Sequence, residues 1–350
     1  MASIDGPADV KRESFVRKLI CIIGVLTLCA AVFIGCGAKE APGKQEKVDK
    51  YQIVCTTFPQ YDWIMHMLGD AAEQFEVSLL VKNSADIHNY QPSTQDMISM
   101  KEADLFVYVG GESDAWAADL MLADATMSDR SVSLVAALGD EVLVEEILEG
   151  MEHHHAAGDH NHVAGTSEAE ALDEHVWLSL ENAEILCQHI SERLCEIAPD
   201  YENVIRDNTK VYVEKLHELD AEYRAVVEAG AHNALIFGDR FPFRYMAEDY
   251  ELECFAAFEG CNAEVEASFD TIITLADKVN ELEVPCILVI DGSDRKLAET
   301  ILSTAGSEGT EILVLDSMQS VSWEDIKQGA NYLDIMKSNL EVLRQALAEG

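Results

Sequence analysis

Basic side chains are scarce in this sequence. Only 24 Lys and Arg stand against 65 Asp and Glu in 350 residues, a formal charge of −41 spread along the whole chain. Such a surface repels phosphate backbones and anionic lipid, which argues against nucleic-acid binding, and it draws cations toward itself. Paired cysteines are missing too: no CxxC occurs among the nine cysteines, so a thiolate zinc site is disfavoured. HExxH, GxSxG and P-loop patterns are also absent, which removes three familiar signatures of hydrolysis and nucleotide binding.

What is present begins with a leader. Lys11, Arg12, Arg17 and Lys18 precede sixteen apolar residues from Leu19 to Ile34. That run is short for a spanning helix and suits the core of a signal peptide. Phe33-Ile34-Gly35-Cys36 resembles a bacterial lipobox, with Phe33 where leucine is usual, so residues 1–35 are expected to be removed and Cys36 lipidated. The alternative, an uncleaved anchor helix, gives the same topology, and either way the remainder is exported. Residues 36–50 carry Pro, Gly and charge without periodicity and form a flexible tether. Further on, Cys254 and Cys261 are close enough in sequence to pair, although buried free thiols are the default expectation.

The rest alternates strand-like and helix-like segments, the pattern of a parallel sheet covered by helices. In the first half, strands are expected at Tyr51–Thr57, Glu76–Val81, Asp104–Val109 and Ser131–Ala136. Helices are expected at Tyr61–Leu68, Ser93–Lys101 and Trp116–Leu122, with Ser93 as a cap. The second half repeats the design. Its strands fall at Asn233–Phe237, Glu253–Ala257, Pro285–Ile290 and Glu311–Leu315, and its helices at Phe243–Asp249, Ser268–Leu282, Asp294–Thr304 and Gly329–Ala348. Between the halves Ile205, Tyr212, Leu216, Leu219, Tyr223 and Val226 keep helical spacing, one apolar stripe on a helix of roughly 40 Å. The stripe spans too few heptads for a coiled coil and suits packing along both halves. The fold class is therefore α/β: two (β/α) lobes with parallel-rich sheets joined by one long helix. Residues 51–200 form the first lobe, 201–231 the joining helix and 232–350 the second lobe.

Open α/β sheets bind ligands beyond the carboxyl ends of their strands. That rule selects the loops Lys82–Pro92, Gly110–Ser113, Gly238–Pro242, Asp291–Asp294 and Asp316–Ser320. His88 lies in the first of them, at the end of a strand. Six of the eleven histidines fall in residues 151–179. His153, His154, His155, His160 and His162 belong to a polar loop, 151–172, suited to gathering metal ions, or else to a solvated linker. His175 follows in Asp173-Glu174-His175-Val176-Trp177-Leu178-Ser179, where apolar neighbours hold its ring at the edge of a core, as a metal ligand requires.

Four motifs in order, Ser84–Met97, Ala103–Gly111, Asp173–Ser179 and Tyr332–Leu340, together with the histidine-rich insert, resemble the solute-binding lipoproteins of bacterial zinc and manganese ABC transporters. The resemblance implies two lobes clamping one divalent cation, with a rigid helix permitting small closure. It makes His88 and His175 the first two ligands and, through Leu315-Asp316-Ser317, Asp316 the last. The third position departs from the pattern. Arg240 stands where the family has His or Glu, and a guanidinium has no lone pair to give. Asp239 beside it serves if the turn is shifted; a water, or a salt bridge between Asp239 and Arg240, are the alternatives.

Imidazoles with carboxylates and no thiolate accept Zn²⁺ and also suit Mn²⁺ or Fe²⁺. The insert is typical of the zinc branch, so the resemblance implies Zn²⁺, with Mn²⁺ the alternative. It further implies a monomeric, non-enzymatic binding protein, lipid-anchored on the extracytoplasmic face of the membrane, that hands metal to an ABC permease and its ATPase. Two other classes stay open: a zinc hydrolase with Glu174 as its base, and an adhesin-like surface lipoprotein.

Overall fold

A two-residue alternation of apolar side chains decides both faces of each sheet. The computed structural model describes residues 50–82, 87–145, 148, 172–259, 267–307 and 309–348. Outside them lie the leader, Cys36, Cys261 and the five histidines His153, His154, His155, His160 and His162. The first half runs β1 (Tyr51–Cys55), α1 (Phe58–Leu68), β2 (Phe75–Leu79), α2 (Thr94–Glu102), β3 (Leu105–Tyr108), α3 (Trp116–Ala123), α4 (Ala125–Ser128), β4 (Ser131–Ser133) and α5 (Leu134–Leu138). Two long helices follow, α6 (Leu180–Ile197) and α7 (Glu202–Ala229). The second half runs β5 (Ala234–Phe241), α8 (Arg244–Asp249), β6 (Glu253–Glu259), α9 (Phe269–Leu282), β7 (Cys286–Ile290), α10 (Lys296–Ala305), β8 (Glu311–Leu315), α11 (Trp323–Lys327) and α12 (Tyr332–Ala346).

Each half builds a four-stranded parallel sheet, ordered β2-β1-β3-β4 and β6-β5-β7-β8. The winding is the same twice, and the strand order reverses beside β1 and beside β5. Ile53, Leu105 and Val107 point into a core shared with α6 and α7, whereas Val54 and Phe106 join the cluster with Met100 and Leu120 on the opposite face. In the second sheet Leu235, Phe237 and Leu288 enter the shared core, and Ile236, Ile287 and Val289 pack with Leu275 and Ile301. Both faces being buried explains why these strands are almost wholly apolar.

The joining helix has 28 residues, about 42 Å at 1.5 Å per residue. All six stripe residues are buried. Toward its start, Asn208 Nδ2 donates to the Met67 carbonyl at 3.1 Å; toward its end, Tyr223 Oη donates to the Met336 carbonyl at 2.6 Å. One rigid element is thus bonded to α1 of the first lobe and α12 of the second.

Ser93 caps α2 as expected, its hydroxyl accepting from the Asp96 amide. Short helices α4 and α11 fall where no helix was expected, and three further segments differ from expectation for local reasons. The apolar run Ser131–Ala136 is strand only to Ser133, because the Ser133 hydroxyl accepts from the Ala136 amide and starts α5. Gly329, at φ +102°, and the Asn331 cap delay the last helix to Tyr332. Residues 238–241 are strand, since β5 resumes pairing with β6 after a register shift between Phe237 and Arg240. Cys55, Cys187, Cys195, Cys254 and Cys286 are buried free thiols. Among the described residues no helix is long and apolar enough to cross a membrane.

Asp249, at the end of α8, has its carboxyl pushed up to about 6, with burial the main cause and Ser179 pulling the other way. Its Oδ2 is buried without a partner. A carboxyl raised on folding contributes stability below its unfolded value near 3.9 and loses it as pH climbs through 6. Asp249→Asn should therefore raise stability at pH 7.5 by on the order of 2 kcal/mol, with the gain fading as pH falls from 6 to 4. Paired melting curves at pH 7.5 and 4 test this; an equal shift at both would refute it.

Candidate metal centre

His88 sits in a single helical turn, Ile87–Asn89, after β2. Buried Ile87 anchors the turn while the His88 ring is exposed. The Ser113 hydroxyl, in the loop after β3, lies 2.5 Å from His88 Nδ1. That loop is gathered by Asp114, whose carboxylate accepts from the amides of Val109 at 2.7 Å and Gly110 at 2.8 Å. Burial pushes the Asp114 carboxyl up to about 6, against the pull of those two amides, and Glu174 adds to the rise.

His175 is held differently. Its ring is 1% exposed, and Asp173 Oδ1 accepts from its backbone amide at 2.8 Å and from Nδ1 at 2.9 Å. Because a carboxylate only accepts, Nδ1 carries a proton, which in the neutral ring places the lone pair on Nε2. The Asp173 carbonyl accepts in turn from Tyr245 Oη at 2.8 Å, a group of the second lobe that also takes the Leu143 amide at 3.2 Å. Trp177 is the second tie across the lobes. Its indole N–H donates to the Ser317 carbonyl at 3.0 Å and its own carbonyl accepts from Tyr332 Oη at 2.6 Å.

These arrangements put the His88 and His175 rings 5.7 Å apart, centroid to centroid, inclined by 46°. Two imidazoles sharing a tetrahedral zinc through nitrogens at 2.0–2.1 Å have centroids about 5 Å apart. The observed spacing is therefore near that of a shared ion.

Asp316 follows β8 and is fixed by Asn339, which accepts from its amide and donates to its carbonyl, both at 2.8 Å. Its carboxylate takes the Met318 amide at 2.7 Å, and burial, then the charge of Asp291, raises it to about 6. A cation placed there would recover that cost. Asp239 accepts from the Arg240 amide at 2.8 Å, and the Arg240 Nε lies 3.9 Å from the same oxygen. So the structure brings the two imidazoles together. Among the described residues no three His, Cys, Asp or Glu side chains are grouped as an ion's cage, and neither aspartate joins the pair. The Asp316 segment is nonetheless adjacent: Trp177 bonds to Ser317, and Thr57, Val81, Ile87, Trp177, Met318 and Val321 line one small cleft of about 10 Å³.

The profile of the family described as zinc-uptake complex component A, periplasmic, matches residues 53–346. The chain belongs to that family. It is 30% identical over 322 residues to the zinc-binding lipoprotein AdcA of Streptococcus pneumoniae, covering 91% of this chain and 59% of that one. It thus spans little more than half the length of that relative. The high-affinity zinc uptake system protein ZnuA of Bacillus subtilis is 28% identical over 325 residues, covering 92% of this chain and 96% of its own length. The crystal structure of the Zn(II)-bound ZnuA-like domain of Streptococcus pneumoniae AdcA superposes with a TM-score of 0.64 at 26% identity, over 85% of this chain and 99% of that domain. For a zinc-uptake component A, the two parallel-sheet lobes and the long helix are thus the shared scaffold. Ser113 and Trp177 lie in segments the sequence marks, but the bonds by which they and Tyr245 hold the imidazoles and their loops are not legible there. Their partners lie 25, 72 and 140 residues away.

Proposed function

We propose that this protein captures Zn²⁺ outside the cell and hands it to an ABC permease and its ATPase. The observation that carries the reading is the imidazole pair, two rings at bridging distance from separate loops with Nδ1 of each engaged by a protein oxygen. At His175 the carboxylate on Nδ1 makes Nε2 the ligating atom, and at His88 Nε2 ligates when the Ser113 hydroxyl accepts from Nδ1. Residues 51–200 and 232–350 act as the jaws and 201–231 as the spine. His88 and His175 replace waters of the hydrated ion, and Asp316 closes over it from the second lobe. Asp239 supplies a further oxygen when it leaves the Arg240 amide. The relatives' zinc-binding and zinc-uptake names support zinc over Mn²⁺ as the cargo. Delivery requires the permease to separate the lobes.

In the same reading residues 1–35 are a leader, Cys36 carries the lipid, and residues 36–50 let a monomer reach the permease. The tract His153, His154, His155, His160 and His162 raises the local zinc concentration without forming part of the tight site. Hydrolysis is the poorer reading, because Glu174, the base it would use, is buried and bonded to the Ser113 amide at 2.9 Å.

Competition titration of the metal-stripped protein against a chromophoric chelator tests the function. One tight Zn²⁺ equivalent is expected, with Mn²⁺ far weaker, as the affinity order of such ligands dictates. Absence of any tight equivalent would end the reading.

A further inference from the structure

The tripeptide Asp173-Glu174-His175 faces two ways. Asp173 turns back to fix the His175 ring. Glu174 turns toward the loop after β3, where its Oε1 accepts from the Ser113 amide at 2.9 Å. Ser113 in turn places its hydroxyl on His88 Nδ1 at 2.5 Å. Glu174 is only 6% exposed, and its second oxygen is buried without a partner. A buried carboxylate with a spare oxygen is costly, so the carboxylate is not accounted for by a saturated structural network. The loop is also shaped around it: a Cβ at Gly111 would collide with Cγ and Cδ of Glu174.

We propose that Glu174 is a positioning residue for His88, acting through Ser113, so that one tripeptide orients both imidazoles. The proposal rests on the reading of His88 as a metal ligand. The two rings differ in how firmly they are set. His175 faces a carboxylate, which accepts only, and its tautomer follows from that. His88 faces a hydroxyl, which both donates and accepts. A Ser113 hydroxyl anchored so that it accepts from Nδ1 leaves the His88 Nε2 lone pair for the ion; a hydroxyl set free can donate to Nδ1 and put the proton on Nε2. Fixing the Ser113 amide on Glu174 is what holds that hydroxyl in place against the ring.

The test uses the full chain, metal-free and labelled with ¹⁵N-histidine, so that each ring reports its tautomer without zinc. In the wild type His88 should show the Nδ1-protonated form. Ser113→Ala and Glu174→Ala should both move its ring shifts toward the mixture of a free imidazole and leave those of His175 in place. Zinc affinity should fall by about 10–100-fold in each, the range for supporting residues around a metal. The double variant should lose no more than either single one, because both act on one path. Glu174→Gln keeps an acceptor oxygen and should restore affinity to within a few-fold; it also serves as the folded variant if Glu174→Ala melts early. Unchanged His88 ring shifts in Ser113→Ala and Glu174→Ala, or fully additive losses, would overturn the proposal. Tight binding retained by His88→Ala would instead defeat the ligand reading, while the ring shifts of the metal-free protein still judge whether Glu174 and Ser113 position His88.

Discussion

His88→Ala should abolish tight zinc binding while leaving the melting temperature of the metal-free protein unchanged. The ring is exposed, so its removal takes little apolar surface out of the core. Because it is one of the two imidazoles at bridging distance among the described residues, its loss should exceed the about 10–100-fold typical of residues that merely support a ligand. His175→Ala should behave differently. It empties a site with 1% exposure and strips Asp173 Oδ1 of one of its two donors, leaving it the amide of residue 175. A lost hydrogen bond to a charged group costs roughly 1.5–3 kcal/mol, so this variant loses both zinc and stability. Chelator competition and calorimetric melting read the two quantities separately. Binding by His88→Ala within a few-fold of wild type would remove the ring from the site.

The contrast between the two histidines also shows what a sequence discloses and what it withholds. Local signals were legible. Ser93 caps α2, the six-residue stripe of α7 is buried throughout, and β8 spans Glu311–Leu315 as its apolar run indicates. These depend on period and capping chemistry within a few residues. At Ser133 the same kind of signal competed with itself, an apolar β-branched run against a hydroxyl cap, and the cap won. The capping box of α11, Ser322 with Asp325, is equally local, but the helix it starts has only five residues and no apolar period to mark it in the sequence.

The site was legible in part for a different reason. A histidine after a strand and a histidine beside an apolar tripeptide mark loops, but nothing in their spacing says that residues 88 and 175 meet. Their meeting depends on Ser113, Glu174 and Asp173, contributed by two loops that fold together only once β3 lies beside β1. The Arg240 position shows the same limit. Strand β5 was expected to end at Phe237, yet pairing resumes at Arg240 after the shift in register. Asp239 therefore sits within an irregular strand end, and its carboxylate is engaged by the next amide rather than held out in a loop.

The second large effect is expected at Trp177, the side chain that joins the His175 segment to the Asp316 segment. Trp177→Ala removes a large side chain with 1% exposure, a change that costs about 3–5 kcal/mol in a packed core. Trp177→Phe is the more informative variant. It keeps most of the apolar volume but loses the indole N–H to Ser317, leaving that carbonyl without its donor, for roughly 1–3 kcal/mol. If closure of the second lobe over the imidazoles sets how long the ion stays, breaking this tie should speed zinc release while barely changing the rate of capture, since capture begins at exposed His88. Tyr332→Phe, which removes the hydroxyl donated to the Trp177 backbone carbonyl, should act in the same direction, and the two should be non-additive because both ties run through one residue. Stopped-flow transfer of zinc to a chelator in excess measures the release rate. A Trp177→Phe protein that is destabilised yet releases zinc at the wild-type rate would show that the bond to Ser317 holds the fold and plays no part in holding the ion.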